Sequence, residues 1–216
     1  MSKSMMFSIK RIIFWLCLLC VVVVILFLVH REPVSERKVV VEARGQRASV
    51  SAWQRRGDKW PEVFRTDDGY VGRNGVTENK VEGDQAVPIG EFELRRAFGV
   101  VDNPDTNLAY TRIKVDDVWV DDPDSKYYNQ YIHSGSGIKR DWKTAEELSR
   151  LDMAYKYAIV VEYNTNPVIP GKGSAIFFNL SNDHATGGDI AVPEKYLKRF
   201  LKFVQPGDKI VIKRAE

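Results

Sequence analysis

The chain has 216 residues, which is enough for one sizeable domain and a membrane anchor but not for a third module. Its 32 Lys and Arg residues exceed its 29 Asp and Glu residues by three, and the three basic residues that precede residue 12 account for this excess. Residues 31–216 are therefore formally neutral. This balance excludes a nucleic-acid binder, because such domains carry a surplus of cations.

Both cysteines, Cys17 and Cys20, lie in one apolar segment near the N-terminus, and the rest of the chain has none. The predicted domain therefore forms no disulfide, holds no thiolate-bound metal and uses no cysteine nucleophile. We predict neither a metal nor a cofactor for it.

The segment from Ile12 to Val29 contains only apolar residues. As an α-helix it is about 27 Å long, close to the thickness of a bilayer core, and it is apolar on all sides. We predict a transmembrane anchor at 12–29 and a cytoplasmic tail at 1–11. A cleaved signal peptide is the alternative, but the sequence after Val29 lacks the small-residue pattern of a cleavage site. Basic residues flank the segment on both sides, so charge leaves its orientation open.

Residues 30–47 include eight charged residues and predict a stalk, with Val39-Val40-Val41 as the possible start of a strand. Residues 48–216 then predict a mainly β domain with a few short helices. Strand patterns, each bounded by turn residues, recur along it. They cover 49–54, 60–64, 70–72, 91–94, 157–163, 175–178 and 208–213.

Two segments predict helices. Thr144 and Glu147 have the spacing of a capping box at the start of a short helix. Residues 194–204 place Leu197, Phe200 and Leu201 on one helical face. The basic residues of this segment predict a solvated face, with anionic polymers or lipid head groups as possible neighbours. They are Lys195, Lys198, Arg199 and Lys202.

Four blocks of sequence resemble the L,D-transpeptidase (YkuD-type) domains of peptidoglycan metabolism. The first block, GDQAVPIGEF at 83–92, is similar to the family's G-D-x-x-T-P-x-G-x-F segment, with Val87 where threonine is usual. The last, TGGDIAVP at 186–193, is similar to its T-x-G-C-x-A-x-P catalytic loop. The blocks between them are WVDDPDS with YYNQ, at 119–125 and 127–130, and YNTNP with GKGSAIF, at 163–167 and 171–177. The resemblance implies a β-sandwich-like catalytic domain.

The resemblance also implies acyl transfer between peptidoglycan stem peptides by a cysteine and a histidine. In this chain those two positions are Asp189 and Asn179. A carboxylate is a poor nucleophile toward an amide, and asparagine cannot act as a general base. We therefore predict inactive catalytic positions. The remaining substrate-binding candidates are Thr186, Gly187, Gly188 and Ser174, with the glycine amides available to a carbonyl or carboxylate.

Other residues offer alternatives. His184, with Asp183 and Asp189, can be drawn as a base or as a metal site, although a solvated loop is the simpler interpretation because the ligand spacing is not diagnostic. A carboxylate pair of Asp189 with Asp183 or Glu194 would suit glycan hydrolysis. His133 is predicted to be exposed. The aromatic residues of the second block and its surroundings line either a groove or the core: Trp119, Tyr127, Tyr128, Tyr131 and Trp142.

Three functions follow as hypotheses. The first is a catalytically silent, membrane-anchored protein whose domain lies outside the cytoplasm and binds peptidoglycan stem peptides or cell-wall synthesis proteins. The second is an active peptidoglycan transferase or hydrolase that uses Asp189 with His184. The third is a structural role in a membrane complex. The extracytoplasmic location is implied by the family resemblance alone.

Overall fold

The computed structural model describes residues 15–16, 18–20, 36–149 and 153–216. The membrane anchor predicted at 12–29 falls outside these ranges except for five helical residues. Within the described ranges, no helix is long and apolar enough to cross a membrane. Residues 35–216 form one compact unit, and the site lies within it.

The described residues of this unit contain fourteen strands, and several of them are only two or three residues long. In chain order they are β1 (Arg37–Arg44), β2 (Arg47–Gln54), β3 (Glu62–Tyr70), β4 (Val76–Thr77), β5 (Val87–Pro88), β6 (Gly90–Gly99), β7 (Ala109–Arg112), β8 (Val118–Val120), β9 (Tyr131–Ile132), β10 (Ala145–Glu147), β11 (Ala158–Val161), β12 (Phe177–Leu180), β13 (Ile190–Val192) and β14 (Asp208–Arg214). A 3-10 turn spans Met153–Tyr155, and one α-helix, the C-terminal helix, spans Glu194–Phe203.

Nine strands form a single sheet in the order β11-β12-β13-β3-β2-β1-β14-β6-β7. Strand β6 also pairs with β11, so the sheet closes on itself. The predicted β-rich class is confirmed, but the expected sandwich of two packed sheets is not found among these strands. The pairing with β6 satisfies the backbone groups of β11, the first strand of this order, whose outer edge a flat sheet would leave unpaired.

The C-terminal helix packs its apolar stripe into the main core, as its spacing predicts. Leu197, Phe200 and Leu201 are fully buried, and the Phe200 ring lies 4.7 Å from Phe64 and 5.1 Å from Phe178 between centroids. A second buried cluster surrounds Phe177 on the opposite face of β12. Because side chains alternate along a strand, Asn179 lies on the same face as Phe177. This alternation directs Asn179 toward the site.

Two predictions about local structure are wrong. The stalk predicted at 30–47 ends too late, because β1 occupies 37–44 between β2 and β14, with Val39 and Val41 fully buried. Burial alternates along β1, with Val39, Val41 and Ala43 buried and the residues between them half-buried, as in a strand that buries one face.

The helix predicted to start at Thr144 is instead strand β10, in which Glu146 pairs with Trp119 of β8. Because nucleating a helical turn is costly, so short a segment gains more from pairing with a neighbouring strand than from forming an isolated helix.

Candidate functional site

A pocket of about 450 Å³ opens between the end of β12 and the loop that precedes β13. It contains all six of the site residues predicted from the sequence, so the structure brings them together. These are Asn179, Asp189, Thr186, Gly187, Gly188 and Ser174. Strands β12 and β13 run parallel, with Phe178 opposite Ile190 and Asn179 opposite Ala191. This register places Asp189 beside the start of β12.

Asn179 and Asp189 are hydrogen-bonded to each other. The Asn179 side chain, 3 % exposed, donates from Nδ2 to Oδ2 of Asp189 at 2.7 Å. The other carboxyl oxygen, Oδ1, accepts the backbone N–H of Phe177 at 2.8 Å. The Oδ1 atom of Asn179 is buried and has no hydrogen-bond partner among the residues that the structure describes. The two residues at the positions that the resemblance assigns to a base and a nucleophile are therefore hydrogen-bonded to each other, and one acceptor, Oδ1 of Asn179, remains unused.

Three carboxyl groups that line the pocket have raised pKa values. Burial raises the pKa of Asp189 to about 8, and the nearby Glu146 carboxylate adds to the rise, although the hydrogen bonds from Phe177 and Asn179 oppose it. Burial is also the main cause of the raised pKa of Glu146, with repulsion from Asp121 as the second cause. The pKa of Asp121 is raised mainly by burial. Asp189 is thus mostly a neutral acid at pH 7.

The loop before Asp189 is closed by the hydroxyl of Thr186. This oxygen accepts the backbone N–H groups of Gly188 at 3.2 Å and Asp189 at 2.8 Å, and its proton is donated to the Asp189 carbonyl at 2.7 Å. The expectation that both glycine amides face a ligand is therefore wrong for Gly188, because a side chain of the loop itself uses that donor. Gly187 is exposed, and a Cβ added to it would meet no atom of the described residues within 4 Å apart from its chain neighbours.

Ser174 is hydrogen-bonded to a carboxylate on the pocket wall. Its hydroxyl donates to Oε2 of Glu82 at 2.7 Å, and the Tyr128 hydroxyl donates to the same oxygen. The Tyr128 oxygen in turn accepts the N–H of Gly173 at 3.0 Å. Glu82 is thereby fixed in place, so any ligand that occupies the pocket faces an ordered carboxylate.

Asn129 joins the second and third of the sequence blocks that resemble the family. Its Oδ1 accepts from the Trp119 indole at 2.9 Å and from the Ala175 N–H at 3.0 Å, while its Nδ2 donates to the carbonyls of Tyr163 and Asn164. Blocks separated by tens of residues thus meet at one buried amide behind the pocket.

Asp84, in the first block, anchors its own loop. It accepts from Lys80 Nζ at 2.6 Å and from the N–H groups of Val81 and Ala86. Burial alone would raise its pKa, but these hydrogen bonds lower the pKa below the usual value. Asp84 is thereby paired with Lys80, a buried cation that lines the pocket.

The alternative partners of Asp189 lie elsewhere. His184 lines the pocket but is exposed, and its Nδ1 faces the Ala185 carbonyl; within the described ranges no hydrogen bond joins it to Asp189. Asp183 is exposed, and Glu194 is paired with Lys156 and Lys198. Among the residues that the structure describes, no group of three or more His, Cys, Asp or Glu residues is arranged to hold a metal ion.

The remaining candidates are mainly structural or exposed. Trp119 and Tyr128 are buried, whereas Tyr127, Tyr131 and Trp142 are half-buried, so this set belongs partly to the core. His133 is exposed, as predicted. The basic face of the C-terminal helix is partly neutralised, since Lys198 pairs with Glu194, Lys202 pairs with Asp105 and Arg199 lies over the Phe64 ring.

The sequence prediction missed three acidic residues of the site, namely Glu82, Asp121 and Glu146. Glu82 directly precedes the first family-like block and Asp121 lies inside the second, so their positions in the sequence could have indicated that both belong to the site. Glu146 was missed because the sequence pattern predicted a helix there, which gave no indication that this residue pairs with β8. Its side chain reaches the pocket because β10 pairs with β8.

No protein-family model matches the chain, and no curated protein matches it. Among solved structures, it is similar to the helical cell shape determining protein Pgp2 from Campylobacter jejuni, with 16 % identity, 84 % of this chain and 49 % of that chain covered, and a TM-score of 0.48. It is also similar to Bd1075 from Bdellovibrio bacteriovorus, with 12 % identity, the same coverage of the two chains and a TM-score of 0.46. The chain spans about half the length of each.

Proposed function

We propose that this protein binds peptidoglycan without cross-linking it, as a membrane-anchored, extracytoplasmic relative of the L,D-transpeptidases. The observation that carries the proposal is the 2.7 Å hydrogen bond between Asn179 and Asp189 in the pocket. The four family-like blocks supply the walls of this pocket or the residues behind it, and the two reactive positions hold an amide and a carboxyl group.

The chemistry of these two groups argues against acyl transfer. Asp189 has a pKa of about 8, so at neutral pH its carboxyl group is mostly protonated, and the protonated group does not attack a carbonyl. Asn179 has no titratable proton acceptor to replace a catalytic base. The Gly188 amide, one of the two glycine amides expected to face a developing oxyanion, already donates to Thr186. The nucleophile and the base of the family's reaction are therefore missing, and one of its two expected oxyanion donors is already used.

The test uses the full chain in detergent, incubated with purified sacculi. Co-sedimentation measures binding, and mass spectrometry of the digested muropeptides measures chemistry. We expect binding with unchanged muropeptides. The double variant Asn179→His, Asp189→Cys serves as the matched comparison, because it restores a base and a thiol to the same pocket. New cross-links or trimmed stem peptides with this variant would support a retained substrate groove.

Two results would overturn the proposal. Muropeptides altered by the natural protein would demonstrate catalysis, and failure to co-sediment with sacculi would remove the binding role. In the second case the third hypothesis, a structural role in a membrane complex, becomes the better one. It predicts that substitutions in the loop around Gly188 leave the cellular phenotype unchanged.

A hydrolase is the second candidate, and the raised pKa of Asp189 is the observation that favours it. A carboxyl group that stays protonated near pH 7 is suited to general-acid catalysis, and a second carboxyl group, Glu146, lies close enough to influence its titration. This candidate replaces His184 with Glu146 as the partner of Asp189. It predicts a muropeptide-cleaving activity that Asp189→Asn and Glu146→Gln each abolish, whereas His184→Gln leaves it unchanged.

A further inference from the structure

The end of the domain at which the chain enters strand β1 carries a cleft of about 320 Å³. Its lining residues are Arg37, Lys38, Trp60, Glu91, Lys209 and Val211. Three of the six are cations and only Glu91 is acidic. Lys38 Nζ lies 4.6 Å from the centroid of the Trp60 ring. The cleft therefore combines positive charge with an indole ring, two features that suit the interface of an anionic membrane.

The turn between β2 and β3, residues 55–59, extends this cleft. It is closed by two backbone hydrogen bonds between Arg56 and Lys59, at 2.8 and 3.2 Å. The Arg55 N–H donates to the Glu36 carbonyl at 2.7 Å, which ties the turn to the point where the chain enters β1. Arg55, Arg56 and Lys59 are all exposed. An ordered turn thus holds three cations beside the chain entry.

The basic surface, defined as the cleft together with residues 55–59, has an excess of positive charge. Its six cations are Arg37, Lys38, Arg55, Arg56, Lys59 and Lys209. The acidic residues within it or beside it are Glu36, Asp58, Glu91 and Glu93. Glu93 holds Lys209 at 2.9 Å, whereas Arg56 and Lys59 form no ion pair with any residue that the structure describes. Residues 31–216 are formally neutral, so the excess is local to this surface.

The sequence connects the basic surface to the predicted membrane anchor. Only residues 30–35 separate Val29, the last residue of that anchor, from Glu36. Six residues span about 20 Å at most. A surface tethered so closely to a bilayer meets lipid headgroups at a high effective concentration. The short connection therefore favours headgroups over other anions as the occupant.

We propose that the basic surface binds the phosphate headgroups of anionic phospholipids. The phosphates pair with the cations of the cleft and of the turn, and the Trp60 ring lies at the level of the headgroups. The inference rests on the proposed function for the membrane anchor. It goes beyond that function by giving the domain an orientation on the membrane surface.

This contact places the candidate site away from the bilayer. Strand β1 runs from Arg37 to Arg44, a length of about 23 Å at about 3.3 Å per residue. Beyond its far end, the Gln46 carbonyl accepts the Val71 N–H, and the Val71 carbonyl accepts the Thr186 N–H, each at 3.0 Å. Thr186 lines the pocket. The pocket therefore lies near the end of β1 that is opposite to the basic surface.

Chemical footprinting of the full chain in lipid nanodiscs tests the inference. Formaldehyde and dimethylamine borane, two uncharged reagents, methylate accessible lysines, and mass spectrometry compares Lys38 with the exposed reference Lys172. In discs of phosphatidylcholine and phosphatidylglycerol, we expect Lys38 to react at least about fivefold more slowly than in discs of phosphatidylcholine alone. Each cation near an anionic surface favours the contact by about that factor. Salt at about 1 M, which shortens the screening length to about 3 Å, should remove the difference.

The double variant Arg56→Gln, Lys59→Gln should lose most of this protection, because it removes two of the six cations. Lys126→Gln, Lys139→Gln is the matched control, which removes the same charge from exposed residues of other segments and should retain the protection. Inorganic phosphate added to discs of phosphatidylcholine alone separates a lipid surface from a site for small anions. We expect it to leave the methylation of Lys38 unchanged.

Equal methylation of Lys38 in the two kinds of disc would overturn the inference, as would full protection in Arg56→Gln, Lys59→Gln. Protection by inorganic phosphate alone would also overturn it, because the site would then select a small anion.

The proposed function is tested separately. Entry into discs of phosphatidylcholine tests the anchor, and co-sedimentation with sacculi tests peptidoglycan binding. If the chain does not enter these discs, the anchor fails, and flotation with phosphatidylglycerol vesicles then tests the basic surface by itself. In that case we expect the natural chain to float with the vesicles and Arg56→Gln, Lys59→Gln to remain behind, and equal flotation of the two would overturn the inference.

Discussion

The side chain of Asn179 donates to Oδ2 of Asp189 at 2.7 Å, while Oδ1 of Asp189 accepts the backbone N–H of Phe177. Each carboxyl oxygen therefore already accepts from a donor of strand β12. Burial nevertheless raises the pKa of Asp189 to about 8. The charged carboxylate is less stable here than in water despite two hydrogen bonds, so the cost of desolvation exceeds what the two donors supply.

Asp189→Asn should stabilise the protein at pH 8. Because the folded state raises the pKa of Asp189 above its ordinary value of 3.8, the folded protein binds more protons than the unfolded chain between about pH 4 and pH 8. The free energy of unfolding should therefore fall as pH rises through this window, by at most about 1.4 kcal/mol per pH unit. Asparagine has no charge to desolvate and can pair with a reoriented Asn179.

Urea denaturation followed by tryptophan fluorescence at pH 5 and pH 8 measures this effect. We expect the advantage of Asp189→Asn over the natural protein to grow between the two values, with Asp183→Asn as the exposed control. If Asp189→Asn instead lowered the stability by the same amount at pH 5 and pH 8, Asp189 would be ionised at both pH values and its two hydrogen bonds would stabilise the fold.

Thr186→Val should destabilise the site loop by about 1–3 kcal/mol, since the methyl group leaves two N–H donors and one carbonyl without their partner. Thr186→Ser retains the hydroxyl and is the matched control. Hydrogen exchange of the Gly188 and Asp189 amides reports directly on the loop. Unchanged protection in the valine variant would show that the hydroxyl does not hold these amides.

Gly188→Ala should cost about 1–3 kcal/mol, because Gly188 has φ = 146°, a conformation that residues with a side chain rarely adopt. Space is not the cause, since an added Cβ would lie at an ordinary 3.5 Å from the Ala86 carbonyl oxygen. Gly187→Ala is the neighbouring control, with nothing within 4 Å of its Cβ, and should change stability by less than about 0.5 kcal/mol. Equal effects in thermal unfolding would refute the conformational explanation.

The position of β1 makes a truncation informative. A chain that begins at Ser35 retains β1 and should unfold cooperatively. A chain that begins at Ala48 lacks β1, which pairs with β2 on one side and with β14 on the other. The loss of β1 exposes one edge of each neighbour, and this chain should fail to fold. Circular dichroism and proteolysis distinguish the two. A folded chain from Ala48 would indicate that residues 37–44 are a dispensable stalk, as their charge alone suggests.

Local patterns predicted the elements that bury a regular apolar face. The C-terminal helix, β2, β11 and β14 follow from the periodicity of their side chains, because burial of that face decides their conformation. Strand β10 was not predictable in this way. Glu146 lies in a segment with a helical start signal, and only pairing with the distant β8 makes it a strand.

The candidate site was predictable as a set of positions but not as an electrostatic environment. The resemblance in the last block placed Asp189, and the segment directly after the third block placed Asn179. The acidity of Asp189 depends on burial and on Glu146, which approaches from another part of the chain. Likewise, sequence patterns do not reveal that Thr186 uses the Gly188 amide, since this contact arises from the conformation of the loop.

Strands β1 and β14 run parallel, from Lys38 beside Lys209 to Ala43 beside Arg214. The N-terminal end of β1 and the C-terminal end of β14 therefore lie at opposite ends of this pair. A mechanical load applied at residue 36 against the C-terminal end would pull the two strands along each other and strain all their hydrogen bonds together, instead of opening them one at a time. Strand β2, paired with β1 along its whole length, shares the load. A domain tethered at this point and exposed to tension is thus built to resist extension.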